Sequence, residues 1–225
     1  MNLFIDLETT PDLSDGALQR YIDSVEAPGQ YKKPESIAEW KKENAIAIGT
    51  NNWQRTALDP LCGGIYVVGY AFDDQPAQTL WRQPQEPEGQ FLEAALLSIA
   101  SQKDRHDNFR PSRWIGWNII NFDIPFLAKR CAILGIKPAM RLPVNIRYNN
   151  ERLLDLMQAW SGFKDYNKQR DVAKAMGIQL QDETDGKDLW ETVLRGGVAA
   201  AAKKCASDID ALRQIYQRMQ PVFGL

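Results

Sequence analysis

A chain of 225 residues, 44% hydrophobic and 25% charged, is long enough to bury a sizeable core and too apolar for bulk disorder. Its formal net charge of −2 excludes a polyanion binder that works by overall charge, so a nucleic-acid partner would need local basic patches or bound cations. Three scattered cysteines, Cys62, Cys131 and Cys205, argue against a zinc ribbon or a disulfide framework and suit a reducing, cytoplasmic setting.

No signal peptide is expected, because an acid stands at position 6 and no basic start precedes a long apolar stretch. No run approaches the roughly 20 apolar residues of a membrane span. Leu3 to Leu7 reads as a short buried strand, closed by Pro11. A polar stretch, Asp12 to Pro60, follows. It holds a helical pattern from about Pro34 to Ala47, with Ile37, Ala38 and Trp40 as its buried side. Gly64 to Phe72 and Ala77 to Trp81 are β-branched and aromatic runs around an Asp73–Pro76 turn, which predicts a hairpin. After a loop at Pro84–Gly89, Gln90 to Ser101 shows helical spacing, and charged Gln102–Pro111 reads as a loop. Trp114 to Trp117 is a short strand, and a helix from about Phe122 to Leu134 ends at Gly135. Arg152–Gly162 and Gln169–Met176 look helical, Gln181–Asp188 is a polar turn, and Val198 to Met219 forms the last long helix. Early strands and late helices predict an α/β fold around one mixed sheet.

Three acidic groups carry the chemistry. Asp6 and Glu8 are two apart on the first strand and so project to one side, where they repel unless a cation joins them. Hard oxygen donors favour Mg²⁺ or Mn²⁺ over zinc. A solvated pair at a strand end is the plainer alternative. Asp123 lies where a strand meets a helix, which also describes an ordinary first-turn acid with Asn121 as cap. Lys204 and Asp208 are four apart on the last helix and share a face, whereas Asp210 points largely away. An exposed ion pair would explain that spacing equally well.

Taken in order, these motifs resemble the DEDD superfamily of 3′–5′ exonucleases, most closely those related to family-B DNA polymerases. Asp6, Glu8 and Thr9 match an Asp-x-Glu-Thr motif. Gly116, Trp117, Asn118, Phe122, Asp123 and Pro125 match Gly-aromatic-Asn followed by Phe-Asp-x-Pro. Cys205, Asp208 and Ile209 match part of Tyr-Cys-x-x-Asp-Val. Leu154–Met157 resembles an Asp-Leu-Met segment, and Ala57–Ile65 resembles the lead-in to the second strand of phage-type members. Lys204 departs from the pattern, standing where one branch has tyrosine and another, at a related position, histidine. His106, the sole histidine, lies in a charged loop and is discounted as a base.

The resemblance implies a ribonuclease H-like mixed five-stranded sheet flanked by helices, as one exonuclease domain over residues 1–225 with an insertion at about 12–60. It implies two Mg²⁺ or Mn²⁺ ions about 3.5–4 Å apart that clamp the scissile phosphate. Asp6 would bridge them, Glu8 and Asp208 would complete one shell, and Asp123 would hold the other ion. Lys204 would position the attacking water or a phosphate oxygen; service as a base, should cations depress its pKa, or a mere pairing with Asp208 in a slow or dead enzyme are the other readings. Thr9, Asn118, Phe122 and the backbone around Leu7 would meet the terminal nucleotide. The expected substrate is the 3′ end of DNA, preferably single-stranded, in a phage or DNA-repair setting. RNA trimming, or a catalytically weak nucleic-acid-binding module, are the alternatives. Trp53, Trp160 and Trp190 are expected to pack, and Asp155 to act as a capping or structural acid.

Overall fold

The computed structural model describes residues 1–83, 85–102, 111–163, 165–182, 189 and 197–225. The chain divides into two compact units: Met1–Glu8 with Ile65–Leu225, and Thr9–Gly64.

The first unit is an α/β layer built on a mixed five-stranded sheet. Its strands are β1 (Asn2–Thr10, whose last two residues belong to the second unit), β2 (Gly64–Phe72), β3 (Gln78–Trp81), β4 (Arg113–Gly116) and β5 (Leu153–Asp155). They lie in the order β3-β2-β1-β4-β5. β1 pairs parallel with β4 and β4 with β5, while β2 and β3 form the antiparallel hairpin. Among the described residues, the helices of this unit are α3 (Glu88–Ala100), α4 (Asp123–Ile133), α5 (Leu156–Ser161), α6 (Gln169–Ala175) and α7 (Val198–Phe223).

Strand alternation divides β1 between two cores. Leu3, Ile5 and Leu7 pack with Leu92, Leu96 and Ile99 of α3 and with Ile124 and Leu127 of α4. Phe4 enters the second core with Ile209, Leu212, Ile215 and Tyr216 of α7, its ring 5.6 Å from that of Tyr216. Each fully buried aliphatic side chain stabilises the fold by roughly 1.5–3 kcal/mol. Asp6 and Glu8 share the parity of Phe4, so the same alternation aims both acids toward the α7 side.

The second unit contains α1 (Ala17–Asp23) and α2 (Pro34–Arg55). They meet closely at Gly49, where a Cβ would stand 2.5 Å from the Ile22 Cα. Trp53 is buried and donates from Nε1 to the Asp12 carbonyl at 2.7 Å. α2 extends eight residues past the expected end at Ala47. Ile37 and Trp40 are half-buried and Ala38 is exposed, while the fully buried positions of α2 are Gly49 and Trp53.

Other boundaries also move. The expected helix at Arg152–Gly162 opens as strand β5, because Leu153–Asp155 pairs with β4 and only afterwards starts α5. Asn121 does not cap α4; its side chain donates to Asn118 Oδ1 instead, and Phe122 is the cap position. The last helix continues through Pro221 to Phe223. The expected loop around His106, most of the turn at Gln181–Asp188, and Trp190 lie outside the described residues. Among the described residues, no helix is long and apolar enough to cross a membrane.

Candidate active site

Asp6 and Glu8 stand on β1 beneath α7, and α7 delivers Lys204, Cys205 and Asp208 to them. The close approach depends on Gly69 of β2. A Cβ there would overlap the Cys205 sulfur and meet Ile209 Cγ1 at 3.4 Å. With no side chain at that position, the Cys205 thiol reaches the Asp6 carboxylate at 3.4 Å and the Asp6 carbonyl at 3.7 Å.

Lys204 joins two of the acids. Its Nζ donates to Glu8 Oε1 at 2.5 Å and to Asp208 Oδ2 at 2.7 Å, and its side chain is only 7% exposed. The pair is therefore not the exposed i,i+4 bridge that spacing alone permits. Asp208 is fixed from its backbone as well, since Gln169 Nε2 donates to its carbonyl at 2.7 Å. Asp210 turns to Arg213 at 2.5 Å and stays out of this group.

Asp123 comes from the opposite layer. It is the first residue of α4, is buried, and accepts the Leu7 N–H at 3.1 Å between the two acids of β1. The loop that carries it is held by Asp155, which is fully buried at the end of β5. Asp155 accepts N–H bonds from Asn118 at 2.9 Å, Ile120 at 3.2 Å, Met157 at 3.0 Å and Gln158 at 3.2 Å. It thus caps α5 and pins the strand-to-helix loop, in agreement with its expected structural role. Asn118 takes a left-handed φ of 60° at the start of that loop, where asparagine is tolerated.

The acids share one electrostatic field. Burial raises the Asp6 carboxyl well above the usual carboxylate range, and the charges of Glu8, Asp208 and Asp123 raise it further. Burial also raises Glu8, against the opposing pull of Lys204. Asp123 is pushed up to about 7 by burial, despite the N–H bonds that favour its charged form. For Lys204, burial acts to lower the value, but Glu8, Asp208 and Asp6 outweigh it and hold the ammonium well above its ordinary range. Lys204 therefore keeps its proton in this arrangement, donates hydrogen bonds, and has no lone pair to act as a base.

The donor set suits a hard divalent cation. Donor atoms of Asp6, Glu8 and Cys205 lie within 4.8 Å of one another. Burial raises the Cys205 thiol well above its ordinary value, and Asp6 and Glu8 raise it further, so the sulfur stays protonated and the carboxylates are the natural ligands. Oxygen donors that are strained by mutual repulsion fit Mg²⁺ or Mn²⁺.

Of the expected substrate contacts, Phe122 is half-buried with its ring 5.4 Å from Phe126, and Asn118 is half-buried with its Oδ1 bonded to Asn121. The Leu7 side chain lies in the core and its N–H is committed to Asp123. Thr9 follows on β1 and is half-buried. Trp160 is 38% exposed and its ring stands 6.1 Å from that of Phe223. Three features escaped the sequence reading: the seat at Gly69, the Gln169 bond to Asp208, and the reach of Lys204 to Glu8. A glycine within a β-branched run was the one signal for the first.

The sequence profile of the RNase_H superfamily matches residues 55–219, and the chain belongs to that superfamily. It is similar in fold to the family B DNA polymerase from the hyperthermophilic archaeon Pyrobaculum calidifontis, with a TM-score of 0.61 at 14% identity. That similarity covers 98% of this chain and 24% of the polymerase, so the chain spans about a quarter of its length. No curated protein sequence matches the chain. The profile shows the superfamily and the likeness to the polymerase shows the fold.

Proposed function

We propose that this chain is a metal-dependent 3′–5′ exonuclease that removes nucleoside 5′-monophosphates from DNA, with a preference for single-stranded ends. The reading places residues 1–225 in one exonuclease domain interrupted by the insertion at about 12–60. One observation carries it: four acids from distant parts of the chain, Asp6, Glu8, Asp123 and Asp208, share one field in which several are held away from their ordinary charge state. Such an arrangement is costly for a purely structural group and is relieved by cations.

Asp6, Glu8, Asp123 and Asp208 would hold two Mg²⁺ or Mn²⁺ ions. When bound, such ions neutralise the scissile phosphate and acidify an attacking water. The Leu7 N–H orients Asp123, the Cys205 thiol orients Asp6, and Gln169 holds the backbone of Asp208. Lys204, as a donor that keeps its proton, orients a water or a phosphate oxygen. Thr9, Asn118 and Phe122, with the backbone at Leu7, would contact the terminal nucleotide, the Phe122 ring by base stacking that is tolerant of sequence. All three cysteines are free, two of them buried, which supports a reducing cytoplasm.

The test uses 3′- and 5′-labelled single- and double-stranded DNA and RNA oligonucleotides with Mg²⁺ or Mn²⁺. The expected result is a ladder shortening from the 3′ end of DNA that disappears in Asp6→Ala. Cleavage of RNA alone would favour trimming of RNA. Intact substrates under both metals would defeat the assignment.

A further inference from the structure

Four acids suffice for a metal-dependent nuclease site, and a buried ammonium among them is an addition that needs its own explanation. Positive charge within this site is unevenly placed. On one side, Lys204 Nζ spans Glu8 at 2.5 Å and Asp208 at 2.7 Å, short charge-assisted bonds that leave the ammonium almost wholly enclosed. On the other side, no Lys or Arg forms an ion pair with Asp6 or Asp123 among the described residues. Asp6 accepts a thiol hydrogen bond from Cys205, and Asp123 accepts N–H from Leu7.

The backbone that carries Lys204 is fixed in place. α7 is seated on β2 at Gly69, and Cys205, next in sequence, is wedged against Asp6. A divalent ion binding the same Glu8 and Asp208 oxygens at roughly 2.0–2.2 Å would lie against the ammonium and be strongly repelled.

We infer that Lys204 holds one of the two cation positions of this site: the free chain binds a single divalent ion on Asp6 and Asp123, and a second ion reaches Glu8 and Asp208 only by displacing the ammonium. This rests on the nuclease reading above and refines its ion count. Lys204 then acts as a resident counter-ion, which keeps β1 and α7 assembled without metal and makes occupancy of the second position conditional.

Ion counting tests this without reference to activity. Mn²⁺ is titrated into the full-length chain near neutral pH, with free Mn²⁺ followed by electron paramagnetic resonance and heat by calorimetry. The wild type is expected to bind one ion. Lys204→Met, which keeps length and removes charge, is expected to bind two, the second at least tenfold tighter than any second event in the wild type. Dipolar broadening between paired Mn²⁺ ions should appear only in that variant. Lys204→Arg is expected to bind one. If Lys204→Met fails to fold, Lys204→Gln and the wild-type count carry the test. Two ions of similar affinity in the wild type, or a single ion in folded Lys204→Met, overturn the inference and leave the nuclease reading standing. No Mn²⁺ bound by the wild type overturns both.

Discussion

The seat of α7 at Gly69 gives the sharpest test of how the site is assembled. In Gly69→Ala the new methyl would fall inside the contact shell of the Cys205 sulfur, with Ile209 Cγ1 at 3.4 Å behind it. Ordinary carbon contacts begin near 3.5 Å, so the helix must lift by about 1 Å. Overpacking of this kind costs about 1–3 kcal/mol, or roughly 2–12 °C in melting midpoint for a domain of this size. The chemistry should suffer more than the stability. α7 carries Lys204 and Asp208, while β1 carries Asp6 and Glu8, and a misplacement of 1 Å can cost about 10²-fold in rate. The assay is a thermal melt beside initial rates on a labelled oligonucleotide. Adding Cys205→Ala should recover much of the lost midpoint by removing the sulfur. A Gly69→Ala protein with wild-type melting and wild-type rate would refute the reasoning, because the helix would not then be held where it is described.

Two further outcomes are expected. Asp123 has its carboxyl carried from 3.8 in the unfolded chain to about 7 in the fold, so it binds its proton more tightly when folded, by on the order of 4 kcal/mol. The stability this provides is full below about pH 4 and is lost as pH rises through about 7; melts of chelated protein should fall across that window, and Mn²⁺ or Asp123→Asn should flatten the slope, whereas a slope unchanged by Asp123→Asn would place its origin elsewhere. Asp155→Ala strands the N–H groups of Asn118, Ile120, Met157 and Gln158, and should cost about 3 kcal/mol or more by urea denaturation, with loss of nuclease activity as the Asp123 loop relaxes. A small cost with full activity would show that the loop is held by other contacts.

Much of this was legible from residue types because local rules and tertiary structure agree along β1 and α7. An apolar strand ending in two acids of one parity, and an alanine-rich amphipathic helix with acid and lysine four apart, each specify a face. β5 was hidden because two leucines and an acid, all buried on pairing with β4, are too short a run to show a period. α1 and the extension of α2 were hidden for a different reason: the unit at Thr9–Gly64 buries little of either helix, so hydrophobic spacing marks neither their length nor their packed side. The link from Lys204 to Glu8 was out of reach, because it joins residues 196 positions apart and depends on the depth at which α7 settles. The role of Asp155 was half visible: its capping follows from sequence neighbours, but its grip on Asn118 and Ile120 comes from strand order.

That separation of 196 residues also sets the order in which the acidic cluster can be completed. Asp6, Glu8 and Asp123 all precede α7 in the chain and Asp208 arrives only with it, so three of the four acids wait on the fourth. Contacts this distant in sequence form late and slowly. On the reading proposed above, the cation-binding set is therefore complete only once α7 has docked on β2 at Gly69.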